Sequence, residues 1–189
     1  MKSLRTVALI FVVFLFSGCA GVYTPQDLQP GEMVRSGRFS MLIQDAKRPD
    51  EFLQGRFYWQ DLQRGLTLDL SSPVGVTLAR IELQPEQSVL QVPGEEAVVA
   101  PTADELLTQV FAEPVPIQAM RDWLQGQLSQ SLQASQIKRD NENRVISFRA
   151  AQWSVTLSRY DDQGPTLLAM TQKTNQRAVT LKLIVDASP

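Results

Sequence analysis

Through much of the chain apolar residues recur at every second position, the pattern of strands with one buried face. It is clearest in Leu66, Leu68 and Leu70, followed by Thr77, Ala79, Ile81 and Leu83, with the turn residues Ser71, Ser72, Pro73 and Gly75 between them. A hairpin is predicted there. That register leaves Val74, Val76 and Leu78 off the core face, and Val74 falls at the tip, where a turn usually carries polar residues. An apolar tip faces either water or something apolar, and a single exposed valine is common enough to need no explanation.

The same alternation marks Gly37, Phe39, Met41 and Ile43, then Leu53, Gly55, Phe57 and Trp59, short runs at 89–92 and 97–99, Trp153, Val155 and Leu157, a run at 167–170, and Val179, Leu181, Leu183 and Val185. Consecutive short strands with tight turns predict an antiparallel meander. One helical island interrupts them. Thr102 and Glu105 have capping-box spacing, and Leu106, Leu107, Val110 and Phe111 form one apolar face before Pro114 and Pro116. Ile117, Met120, Trp123 and Leu124 then repeat at helical spacing up to Gly126. Both helical faces need apolar cover, which the concave side of a curved sheet offers; completion of a closed core is the commoner use of such stripes. Residues 125–143 are rich in Gln and Ser and read as irregular.

The amino terminus sets the compartment. Lys2 and Arg5 precede an apolar run from Val7 to Phe16, and Ser17 and Gly18 lead to Cys19. A run of about ten residues suits a secretory signal and falls short of the roughly 20 needed to span a bilayer. Leu15 to Cys19 resembles a bacterial lipobox, with Phe16 where leucine is usual. In such a motif the cysteine thiol receives a diacylglycerol, the signal is cut off and the new amino terminus is acylated. The expected division is therefore a signal at 1–18, a lipidated end and tether at 19–31 and one folded domain at 32–189. Cys19 is the only cysteine, so no internal disulfide is available. Two or three acyl chains, at ~0.8 kcal/mol per buried methylene, hold a protein on a membrane durably. No aspartate follows Cys19, which by the same resemblance points to the outer membrane.

Composition narrows the chemistry. The net charge is −2 with no basic tract, which argues against nucleic acid as a partner. The absence of histidine removes Ser-His and Cys-His catalysis and the commonest metal ligand. Asp161-Asp162 and Glu95-Glu96 sit in turns beside Gly and Pro and read as solvated acids. No nucleotide-binding glycine loop is present. No catalytic residues, metal or cofactor are expected.

Several short motifs, in this order, resemble the LolB family: Gly37-Arg38-Phe39, Phe57-Tyr58-Trp59-Gln60, Ser72-Pro73-Val74-Gly75, Pro114-Val115-Pro116-Ile117, Trp123-Leu124-Gln125-Gly126 and the Trp153 strand. The family typically has glycine where Glu113 stands and leucine where Val74 stands. The resemblance implies an open, strongly curved antiparallel sheet, an unclosed β-barrel, with short helices over an apolar cavity. It also implies a monomeric, outer-membrane-anchored receptor that takes acylated lipoproteins from a LolA-like periplasmic carrier and passes them to outer-membrane lipids without energy input. Cavity candidates are Phe57, Trp59, Leu68, Leu106, Val110, Ile117, Met120, Trp123 and Trp153, each of which a plain core would also bury. Pro73, Val74 and Gly75 are the expected membrane-insertion loop. The competing reading is a scaffold lipoprotein whose core is closed.

Overall fold

In the computed structural model, described over residues 28–110 and 115–186, the predicted alternation becomes one sheet of 11 antiparallel strands. A first meander comprises β1 (Met33–Asp45), β2 (Arg48–Leu62), β3 (Gly65–Ser71), β4 (Thr77–Leu83), β5 (Ser88–Gln91) and β6 (Val98–Ala100). A second comprises β7 (Ala134–Arg139), β8 (Val145–Ala150), β9 (Trp153–Asp161), β10 (Gly164–Lys173) and β11 (Arg177–Val185). Pairing of β1 with β11 joins the meanders, while β6 and β7 remain as the two edges, so the barrel does not close. Between the meanders run helices α1 (Ala103–Val110) and α2 (Ile117–Trp123).

One face of the sheet carries the core. A row of cross-strand partners, Leu53, Met41, Leu181, Met170, Val155 and Phe148, passes across both meanders. Such pairs are what fix the register, because a one-residue slip would turn every one of them to solvent. Two glycines let the strands approach closely. Gly37 lies opposite Phe57, and Gly55 opposite Phe39. A Cβ at Gly37 would run into the Ile184 carbonyl and the Phe57 ring, and one at Gly55 into the Ser71 carbonyl and the Phe39 ring. Each phenylalanine therefore covers a glycine on the neighbouring strand, as expected where a sheet bends tightly.

The helices follow their sequence signals. The Thr102 hydroxyl accepts a hydrogen bond from the Glu105 amide at 3.2 Å, capping the first turn, and donates to the Glu105 carboxylate at 3.2 Å. Leu106 is fully buried, and α1 lies against β5 and β6. Ile117, Ala119, Met120 and Trp123 are the buried face of α2.

Two stretches differ from the pattern-based expectation. Residues 134–139 form a strand where irregular chain was expected. It is an edge strand, five of its six residues are exposed, its pairing slips twice and Gln136 has φ 52. Without a buried face it shows no alternation, and the irregularity discourages further strand pairing. In the central hairpin, Leu70 pairs with Ala79 but Ser71 pairs with Thr77, so Leu78 is the extra residue of a bulge. The bulge brings Leu78 against the core, where a regular register would have turned it away.

Candidate functional site

Successive turns alternate between the two ends of the sheet. One end holds the β1–β2, β3–β4, β8–β9 and β10–β11 turns; the other holds the β2–β3 and β9–β10 turns. Helix α2 runs across the concave face from the first end towards the second, where its carboxyl end is fastened. Arg121 donates from Nε to Asp61 Oδ2 at 2.7 Å and from Nη2 to Oδ1 at 2.5 Å, and Asp61 is only 3% exposed. Bonding to Asp61 outweighs partial burial and holds the Arg121 guanidinium above its ordinary range. Arg35, 2% exposed, donates from Nη1 and Nη2 to the two oxygens of Asp161 at 2.6 and 3.0 Å. It also reaches the Leu124 carbonyl, just past α2, at 3.5 Å. Burial works against charge on Asp161, yet Arg35 and the amides of Gln163 and Gly164 hold its carboxyl below the ordinary 3.8.

Asp161 was expected to be a solvated turn acid, and the structure corrects this: it is the counter-ion of a buried arginine. The signal lay in β1. Met33, Arg35, Gly37 and Phe39 share one face, so Arg35 points into the core and requires a partner. Asp61 follows Phe57 and Trp59 on the buried face of β2 for the same reason.

Under α2 lies a hollow with entirely apolar walls and a volume of about 70 Å³. Of the sequence candidates, Phe57, Trp59, Leu68, Ile117 and Met120 line it, together with Phe39, Met41, Leu53, Leu70, Ile81, Val115, Leu181 and Leu183. Leu106, Trp123 and Trp153 are buried but do not line it: Trp123 packs edge-on against Phe148 with ring centres 5.2 Å apart. The side chain of Val110, Glu113 and Cys19 lie outside the described residues. The indole N–H groups of Trp59 and Trp123 are buried with no acceptor among the described residues.

The hollow is shallowest towards the end that carries the β3–β4 hairpin. Trp59 and Phe57 are fully covered, whereas Leu53, further along β2, is 45% exposed, and its partner Met41 is half-buried. The hairpin reaches that same end. Its tip is ordered by hydrogen bonds: Ser72 N–H donates to the Val76 carbonyl (2.7 Å), Gly75 N–H to the Ser72 carbonyl (2.9 Å) and Val76 N–H to Ser72 Oγ (3.1 Å). Gly75 takes φ +89, a value glycine adopts without strain. Val74 is left 87% exposed and Val76 62% exposed; Phe52, on the outer face beside Leu53, is 62% exposed. Among the described residues no group of three or more acids, histidines or cysteines is placed to hold a metal ion.

Sheet and helices together define an unclosed antiparallel β-barrel with a small apolar hollow beneath α2. A family described as "Outer membrane lipoprotein LolB" matches residues 34–187. Outer-membrane lipoproteins LolB of Bordetella petrii (35% identical, 91% of this chain and 87% of the relative) and Bordetella pertussis (33%, 98% and 94%) are similar over nearly the whole length. That of Cupriavidus metallidurans is 30% identical over 98% of this chain and 97% of the relative. The chain belongs to the LolB family of outer-membrane lipoproteins. A solved LolA superfamily protein from Nitrosomonas europaea superposes with a TM-score of 0.41 at 7% identity, covering 85% of this chain and 90% of that one. A putative outer membrane lipoprotein-sorting protein domain from Vibrio parahaemolyticus gives 0.48 at 9%, covering 82% and 83%. At those scores the likeness carries no further implication.

Proposed function

We propose that the protein, lipidated at Cys19 after removal of residues 1–18, accepts acylated lipoproteins from a LolA-like carrier. It shelters their acyl chains beneath α2 and releases them to outer-membrane lipids, acting as a monomer. Membership of the LolB family supports the broader role in lipoprotein localisation. The observation that carries the finer reading is the apolar hollow whose half-exposed lining lies at the same end as the exposed hairpin tip.

Magnitudes decide what the compartment has to do. A sixteen-carbon chain loses on the order of 12 kcal/mol on entering water, so cargo cannot cross exposed. At about 30 Å³ per water-sized group, a hollow of about 70 Å³ admits on the order of two or three such groups, far short of sixteen methylenes. The resting compartment is too small for a whole chain and widens on loading. Ile117 and Met120 supply α2's share of the wall, while Arg121 and the Leu124 carbonyl fasten the helix at its far end. The amino-terminal end of α2 is therefore the part that lifts. Transfer without nucleotide, consistent with a sequence that carries no nucleotide-binding glycine loop, runs down a gradient of affinity from carrier to this protein to bilayer.

Val74 enters the bilayer during release. The test mixes cargo-loaded carrier with the full chain in liposomes, as wild type and as Val74→Glu. The variant should empty the carrier at the wild-type rate yet retain the cargo; release at the wild-type rate would remove the tip from the mechanism.

A further inference from the structure

A second depression, of about 380 Å³, lies on the other flank of α2. The first turns of the helix form a partition: Ile117 and Met120 face the apolar hollow, whereas Pro116, Gln118 and Ala119 line this groove. Its floor is set by the sheet register. Gln172 on β10 pairs with Trp153 on β9, one row beyond the Leu181–Met170–Val155 row, towards the end that carries the hairpin tip. Gln172 is 4% exposed and its Nε2 donates to Gln152 Oε1 at 2.8 Å. The groove thus lies at the same end of the sheet as the exposed rim of the hollow, across α2 from it, and carries what the hollow lacks, neutral hydrogen-bonding groups. No lysine or arginine lines it, and the one ionisable group on its wall is an acid, Asp104.

The need for such a site follows from where the protein works, and this step rests on the function proposed above. A compartment that recognises hydrocarbon alone treats the tails of a lipoprotein and of a phospholipid alike, because each methylene contributes the same amount. The surrounding membrane consists of phospholipid, so selection has to come from the head that joins the tails. In an acylated amino-terminal cysteine that head is esters, an amide and a thioether, with no charge. In a phospholipid it is a phosphate. Carboxamides donate to ester carbonyls and accept from an amide N–H. A phosphate brought to the same wall meets no cation and faces a carboxylate, which is costly for a desolvated anion.

We propose that the groove formed by α2, Trp153 and the Gln118, Gln152 and Gln172 carboxamides holds the uncharged diacylglyceryl-cysteine head of the cargo and rejects phospholipid. The test uses the full chain in nanodiscs, with empty discs subtracted, and a fluorescent fatty acid as the reporter of the hollow. Two soluble competitors carry the same pair of eight-carbon tails: a dioctanoylglyceryl-cysteinyl peptide with an acetylated amino terminus, and dioctanoyl phosphatidylglycerol. In the wild type the lipopeptide should displace the reporter at least about tenfold more effectively. Gln152→Arg, at an exposed position, should narrow that ratio severalfold by improving phosphatidylglycerol relative to the lipopeptide, each measured against the variant's own reporter affinity. Equal displacement by the two competitors, or an unchanged ratio in Gln152→Arg, overturns the head-group site and leaves the hollow standing. Failure of the reporter to bind at all removes both.

Discussion

At one end of the concave face, the bidentate Arg121–Asp61 pair fastens α2 to the sheet, and Arg35, itself held by Asp161 across β1 and β9, reaches the Leu124 carbonyl just past the helix; each pair has one member almost wholly buried. At the other end the same face is bordered by exposed hydrocarbon: Leu53, Val76 and Val74. Charge belongs where the helix must stay. A buried pair stabilises little in net terms, but removing one member is expensive, so it holds a unique geometry. Apolar contacts are non-directional and can be exchanged for those of an incoming tail at little net cost. Under the proposed function, the first end is the one that stays and the second is the one that opens.

The largest expected effect comes from breaking the fastened end. Asp161→Ala leaves a guanidinium that is 2% exposed without its counter-ion and should cost about 3–5 kcal/mol in denaturant unfolding. Asp161→Asn keeps the shape and part of the bonding and should cost less. Next comes the bend beneath the hollow. Gly37→Ala places a methyl against the Ile184 carbonyl and the Phe57 ring and should lose about 1–3 kcal/mol, with a similar loss for Gly55→Ala.

Acid sharpens the comparison. The folded carboxyl of Asp161 titrates below its ordinary 3.8, so its stabilisation is complete above that value and is lost as pH falls through the folded one. The stability gap between wild type and Arg35→Met, followed by tryptophan fluorescence, should therefore stay constant from about pH 8 to 5 and close below about pH 4. A gap that widens in acid would contradict the pairing. The smallest effects belong to the apolar end. Val74→Glu should change stability by less than about 0.5 kcal/mol while blocking release. Val74→Leu adds one methylene and should strengthen insertion by about 0.8 kcal/mol, read as liposome partitioning.

The meander, both helices and the exposed tip were legible because each has a strong local signature: alternation, a capping box, and an apolar residue between Pro73 and Gly75. The edge strand at 134–139 was not, because only Ile137 in its outer stretch is apolar and no face of it is buried. The ion pairs were half legible. Arg35 stands on an apolar face, but its partner is 126 residues away and only the fold brings them together. The tryptophans illustrate the limit of pattern for the site. Trp59, Trp123 and Trp153 are all buried, and only the curvature of the sheet decides that Trp59 alone borders the hollow.

The central claim is that a hollow too small for an acyl chain opens to admit one. Saturated fatty acids of increasing length, bound to the full chain in nanodiscs and corrected for empty discs, test it directly. If α2 lifts, affinity should rise by about 0.8 kcal/mol per methylene up to sixteen carbons. A plateau once the chain exceeds the two or three carbons that about 70 Å³ accommodates would contradict it.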